Sequence, residues 1–147
     1  MAGPVFAQPI LGRFISQRTA YQRTVFLNGS IRDRKVKPSG SWTYEKPIVV
    51  LVGRWTGSMG EGMAIGFDGM GRGTVMGSDM AGLAGGTEAI KLKVTGLELR
   101  LPTYDLRHLD DTPRHNWKPA ILSIADNGDQ EDLLLQKAIL ELEKKHE

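Results

Sequence analysis

Five apolar residues in succession, Ile48, Val49, Val50, Leu51 and Val52, interrupt an otherwise mixed sequence. A run with no polar member predicts a strand covered on both faces, lying inside a parallel or mixed sheet rather than at an edge. A turn carrying Gly53, Gly57, Gly60 and Gly62 around Ser58 follows, and then Met63, Ala64, Ile65 and Phe67 recur at helix-compatible spacing. Gly71, Gly73 and Gly77 bracket a short strand, Thr74 to Met76. Strand, helix and strand across 47–77 predict a right-handed parallel crossover, which is an α/β signature.

Later patterns are of other kinds. The stretch from Ser78 to Thr87 has no apolar periodicity and reads as a glycine-rich loop near the first turn. Ile90, Leu92 and Val94, then Leu97, Leu99 and Leu101, alternate with polar residues on either side of Thr95-Gly96, predicting an antiparallel hairpin with one wet face. Residues 102–120 are rich in turn residues, with Trp117 as their anchor. The tail predicts a helix capped by Asp129, with Asp132 three residues on, an apolar stripe of Leu135, Ala138, Ile139 and Leu142, and a Glu141–Lys145 pair.

Residues 1–46 differ in character. Prolines and glycines interrupt them, and seven basic side chains from Arg13 to Lys37 give them a positive bias. This predicts a basic, loop-rich arm or linker with at most short strands, pinned to the rest by Trp42 and Tyr44. The charges suit either an acidic partner or a solvated connector, and no nucleic-acid motif accompanies them.

Composition narrows the picture. A chain of 147 residues with 40% hydrophobic and 24% charged content is that of one ordinary globular domain. Cysteine is absent, which removes disulfides, thiolate metal sites and a cysteine nucleophile. His108, His115 and His146 are too scattered for a metal motif, and no cofactor fingerprint is present. With no membrane span and no leader pattern, the chain as written is expected in the cytoplasm, or exported if it belongs to a longer precursor. A formal net charge of +2 gives no argument for nucleic acid.

Ser58 is the candidate for chemistry. A hydroxyl beside the first N–H groups of a helix has the raw geometry of acyl transfer, although a serine in such a turn also serves as an ordinary cap. Gly57-Ser58-Met59-Gly60 is not the G-x-S-x-G elbow, and the turn has neither a P-loop lysine nor the register of a dinucleotide fingerprint. Glu61, in the first helical turn, is favoured there by the helix dipole whatever the chemistry.

Taken together, the strand, Thr56-Gly57-Ser58-Met59-Gly60-Glu61, the helix, Gly71-Arg72-Gly73, the strand from Thr74 and Gly77 resemble the C-terminal-processing (tail-specific) and tricorn core serine peptidases. That family carries a strand, Thr/Ser-Ala-Ser-Ala-Ser-Glu, a helix, Asp-Tyr-Gly-Arg-Ala and a Val-Val-Gly strand end. The resemblance spans roughly 47–145. It implies an α/β (α+β), crotonase-like (ClpP-like) mixed sheet with flanking helices, of which 47–147 would form the C-terminal half of an incomplete domain.

The resemblance further implies that Ser58 attacks a peptide carbonyl, that the Met59 N–H donates to the oxyanion, and that Glu61 matches the family glutamate. The family's second oxyanion donor comes from an upstream glycine-rich loop that residues 1–46 do not resemble. The lysine base of the tail-specific members is replaced by Leu83. The tricorn-type members place a histidine upstream and a glutamate near Arg114 to Asn116, where this sequence has His115, either a catalytic group or a surface turn residue. The expected function is therefore peptide-bond hydrolysis at Ser58. A non-catalytic crotonase-like binding or scaffold domain is the alternative. The expected partners are a peptide or protein substrate, and either a second copy or an N-terminal half that completes the site.

Overall fold

The computed structural model describes residues 7–123 and 132–144. In chain order the elements are α1 (Ala7–Leu11), β1 (Thr19–Phe26), β2 (Ile31–Val36), β3 (Val49–Val52), α2 (Met59–Gly69), β4 (Thr74–Gly77), β5 (Gly85–Lys91), β6 (Glu98–Arg107), β7 (Ile121–Leu122) and α3 (Leu133–Glu143). They make a mixed α/β fold in which the two kinds of strand pairing are separated. One sheet, ordered β2-β1-β6-β5, is antiparallel throughout, and the other, β3-β4-β7, is parallel.

The crossover at the centre follows from its punctuation. α2 packs between the sheets: Phe67 joins a core of Leu11, Ile15, Tyr21 and Val36, while Ala64 and Ile65 join Val52, Val75 and Trp117. Glycines let the helix lie close to β1. Gly62, Gly66 and Gly69 share one helical face, and a Cβ at Gly66 would come within 3.1 Å of the Tyr21 ring. Gly77, at φ +142°, ends β4 where any side chain would collide with the Val52 carbonyl.

β3 corrects the expectation of an interior strand. It lies at the edge of its sheet, and Leu51 is exposed. Its unbroken apolar run instead reflects helices on its flanks, since both α2 and α3 pack against it.

The segment 19–36 is likewise not a loop-rich arm. β1 and β2 pair over most of their length, and β1 pairs on its other edge with β6. A register shift between Ala20 and Gln22 is a β-bulge that turns the consecutive residues Tyr21 and Gln22 inward, which breaks the alternation a strand ordinarily shows. Arg72 binds this part of the chain to the crossover, donating to the carbonyls of Phe14 and Lys46 at 2.9 Å each and also to Tyr44. Tyr44 packs edge-on against Phe14, whereas Trp42 is exposed under the guanidinium of Arg13.

Within 102–120, β6 continues as far as Arg107. Pro102 is tolerated because it lies beyond the part of β6 that pairs with β1, beside a second register shift where Thr87 is its partner. Trp117 is the buried anchor expected of it. The β5–β6 hairpin is exposed on both faces toward its tip, rather than on one. In the tail, Asp129 and Lys145 lie outside the described residues. Asp132 caps α3, accepting from the Leu135 N–H, and only Ala138 of the apolar stripe is buried. No helix among the described residues is long and apolar enough to cross a membrane.

Candidate active site

The turn after β3 brings the chain back over itself at Ser58. The Gly53 N–H donates to Thr56 Oγ1 and the Thr56 N–H to the Gly53 carbonyl, fixing a tight loop before the helix. Ser58 then adopts φ 51° and ψ −107° and is exposed at the first turn of α2. A positive φ in a residue with a side chain is strained, on the order of 1–3 kcal/mol, and persists only where surrounding contacts enforce it.

Two buried charged residues supply those contacts. Glu61 is fully buried, and its Oε2 accepts the Ser58 N–H at 2.8 Å. Its Oε1 accepts from the N–H groups of Gly82 and Leu83 at 2.8 and 3.1 Å. Arg114, only 4% exposed, approaches from the other side. It donates to the Ser58 carbonyl at 3.2 Å and to the Leu83 carbonyl, and its Nη2 lies 3.7 Å from Glu61 Oε2. Both polar groups of the Ser58 backbone are thus gripped, and the glycine loop is tied to the same pair. Desolvation pulls the Arg114 guanidinium below its ordinary range, and the Glu61 carboxylate opposes that shift. A buried pair of this kind holds together because backbone hydrogen bonds satisfy its remaining atoms.

Ser58 opens onto a cleft of about 100 Å³. Its lining includes Tyr21, Gln22, Arg34, Met59, Met63, Tyr104 and Arg114. Met59 is the first residue of α2, so its N–H belongs to the helical first turn that lacks an internal acceptor. The Tyr104 ring lies across Gly86 of the neighbouring strand, where a Cβ would overlap it.

The structure therefore brings Ser58, Met59 and Glu61 together, with Glu61 beneath the serine and not in the cleft. His115 is exposed in a 3₁₀ turn and does not line the cleft; its neighbour Arg114 does. Leu83 contributes its backbone to the Glu61–Arg114 pair. His108 is half-buried between Asp68 and Asp110, 3.3 and 2.9 Å from their carboxylates. Arg114, Gln22 and Arg34 were not legible as site residues. The resemblance pointed at the region of Arg114 to Asn116, but nothing in the sequence separated the inward arginine from the outward histidine.

Ser58 thus stands at the entrance of α2, beside a free helix N–H and a cleft between that helix and the antiparallel sheet. The family model of peptidase family S41 matches residues 10–121, and the chain belongs to that family. No curated protein matches the sequence. Among solved structures, a candidate peptidase from Parabacteroides merdae ATCC 43184 is similar at TM-score 0.79 and 19% identity, over 93% of this chain and 47% of its own. A photosystem II D1 C-terminal processing protease matches at TM-score 0.68 and 19% identity, over 80% of this chain and 30% of its own. A lipoprotein from Streptococcus agalactiae matches at TM-score 0.70 and 17% identity, over 92% and 48%. At these identities the likeness is one of fold. The chain spans less than half the length of each of these structures.

Proposed function

We propose that the chain carries the nucleophile of a serine peptidase site, with Ser58 as the attacking residue. The observation that carries this reading is the backbone of Ser58, held at φ 51° by Glu61 and Arg114 so that the residue stands exposed at the cleft. In the reaction, a bond forms between Ser58 Oγ and the substrate carbonyl carbon, and the hydroxyl proton passes to a base. The carbonyl oxygen gains negative charge facing the Met59 N–H, a donor of the kind whose loss costs roughly 2.7–4 kcal/mol in serine proteases. Collapse breaks the C–N bond, the amine leaves with the proton, and water then releases the acyl group from Ser58.

No histidine, lysine or carboxylate lines the described cleft. We assign the proton acceptor to a group that a second copy of the chain brings to the cleft, so that the purified protein carries the whole site. Without it a serine hydroxyl is a weak nucleophile. The same observation favours a second reading, in which the cleft binds peptide without cutting it.

Incubation with an unfolded protein substrate, followed by mass spectrometry of the fragments, separates the two. Fragments that disappear in Ser58→Ala support hydrolysis. Intact substrate after incubation with the folded wild-type protein overturns it and leaves binding.

A further inference from the structure

We propose that the cleft beside Ser58 recognises a carboxylate of its peptide ligand through Arg34 and Gln22, a specificity that rests on the peptidase reading above. The two residues enter the cleft from adjacent strands, β2 and β1, and neither belongs to the Ser58 turn.

Their unsatisfied chemistry defines the ligand. Gln22 is 3% exposed, and its Nε2 has no hydrogen-bond partner in the described structure. A buried amide N–H without an acceptor is costly and rare, so an acceptor arriving in the cleft would satisfy it. Arg34 donates from Nε to Thr24 Oγ1 at 2.7 Å, and its guanidinium lies 5.2 Å from the centroid of the Tyr104 ring. These contacts fix the plane of the fork and leave its terminal nitrogens for a partner. Arg34 forms no ion pair among the described residues, whereas Glu61 counters the other cleft arginine, Arg114. The cleft thus has one uncompensated cation and one orphaned donor, with no carboxylate in its lining.

A carboxylate meets both needs, because its two oxygens accept from a guanidinium fork and from an amide at once. Size allows it. A cleft of about 100 Å³ has room for a short acidic group beside the two donors. An aspartate-like side chain and a peptide C-terminus offer the same chemistry.

Fluorescence anisotropy with the Ser58→Ala protein tests the proposal without requiring cleavage, so that its failure is distinct from failure to hydrolyse. The probes are labelled hexapeptides of one sequence with an internal Asp or Asn, each ending in a free acid or an amide. One carboxylate is expected to tighten binding by about tenfold or more. Loss in the Asn arm identifies the side chain as the source, and loss in the amide arm identifies the terminus. Arg34→Gln is expected to bring the ratio near one, and Arg34→Lys to retain part of it. Where Arg34→Gln does not fold, Gln22→Leu carries the same test, with the preference expected to fall. Equal binding of all four peptides, no binding of any, or a preference that persists in the folded variant overturns the proposal.

Discussion

The block around Ser58 and the β5–β6 hairpin contain similar kinds of apolar residue and use them oppositely. In the block, Ala64, Ile65, Val75 and Trp117 are buried against one another, and the polar atoms above them are paired through Glu61 and Arg114. In the hairpin, Ile90, Leu92, Val94, Leu97, Leu99 and Leu101 are all exposed, with Val94 98% accessible. α3 resembles the hairpin, presenting Leu135, Ile139 and Leu140 to solvent. The difference shows that the surroundings of Ser58 are self-sufficient in packing, whereas the hairpin and α3 bury little of their apolar surface within the described chain. An exposed apolar area of this extent ordinarily marks an interaction site.

The sharpest way to break the block is to leave half of its buried pair. Glu61→Ala strands the Arg114 charge and removes the acceptor of three backbone N–H groups, so a loss of about 3–5 kcal/mol is expected from the shift of the urea midpoint. Ile65→Ala, which empties a fully buried site between the sheets, is expected to cost about 2–5 kcal/mol in the same measurement. Leu99→Ala on the hairpin sharpens the contrast: its expected change is within about 0.5 kcal/mol, and a loss as large as that of Ile65→Ala would show that the hairpin is buried in solution.

The smallest effect concerns pH. The Thr112 backbone N–H and hydroxyl, assisted by His108, lower the Asp110 carboxyl to about 2. Its folded value lies below the ordinary value of about 3.9, so its contribution is present above that pH and fades as pH falls toward 2. Asp110 is exposed, and the contribution is correspondingly small. Asp110→Asn is expected to be slightly less stable than the parent at pH 7, with the difference closing near pH 2 in paired urea titrations.

These contrasts also explain what could be read from the sequence. The turn, α2 and β4 were legible because glycines punctuate them and apolar spacing fills the intervals. β1 and β2 were not, because the bulge at Tyr21 breaks the alternation and long basic side chains mask the strand character of Ile31 to Val36. Ser58 and Glu61 stood out through the resemblance of the block around them to the family motif, since spacing alone fits an ordinary helix cap equally well. Arg114 and Gln22 did not, since their roles depend on contacts between elements far apart in the chain. β3 was misplaced to the sheet interior because flanking helices leave the same apolar signature as neighbouring strands.

The central claim is that Ser58 stands as a reactive nucleophile on its clamped turn. Labelling the purified protein with a fluorophosphonate probe and reading the intact mass tests it most directly. The account predicts a single adduct on the wild-type chain that is absent from Ser58→Ala. A folded wild-type protein that takes up no probe, or an adduct that survives Ser58→Ala, would contradict it.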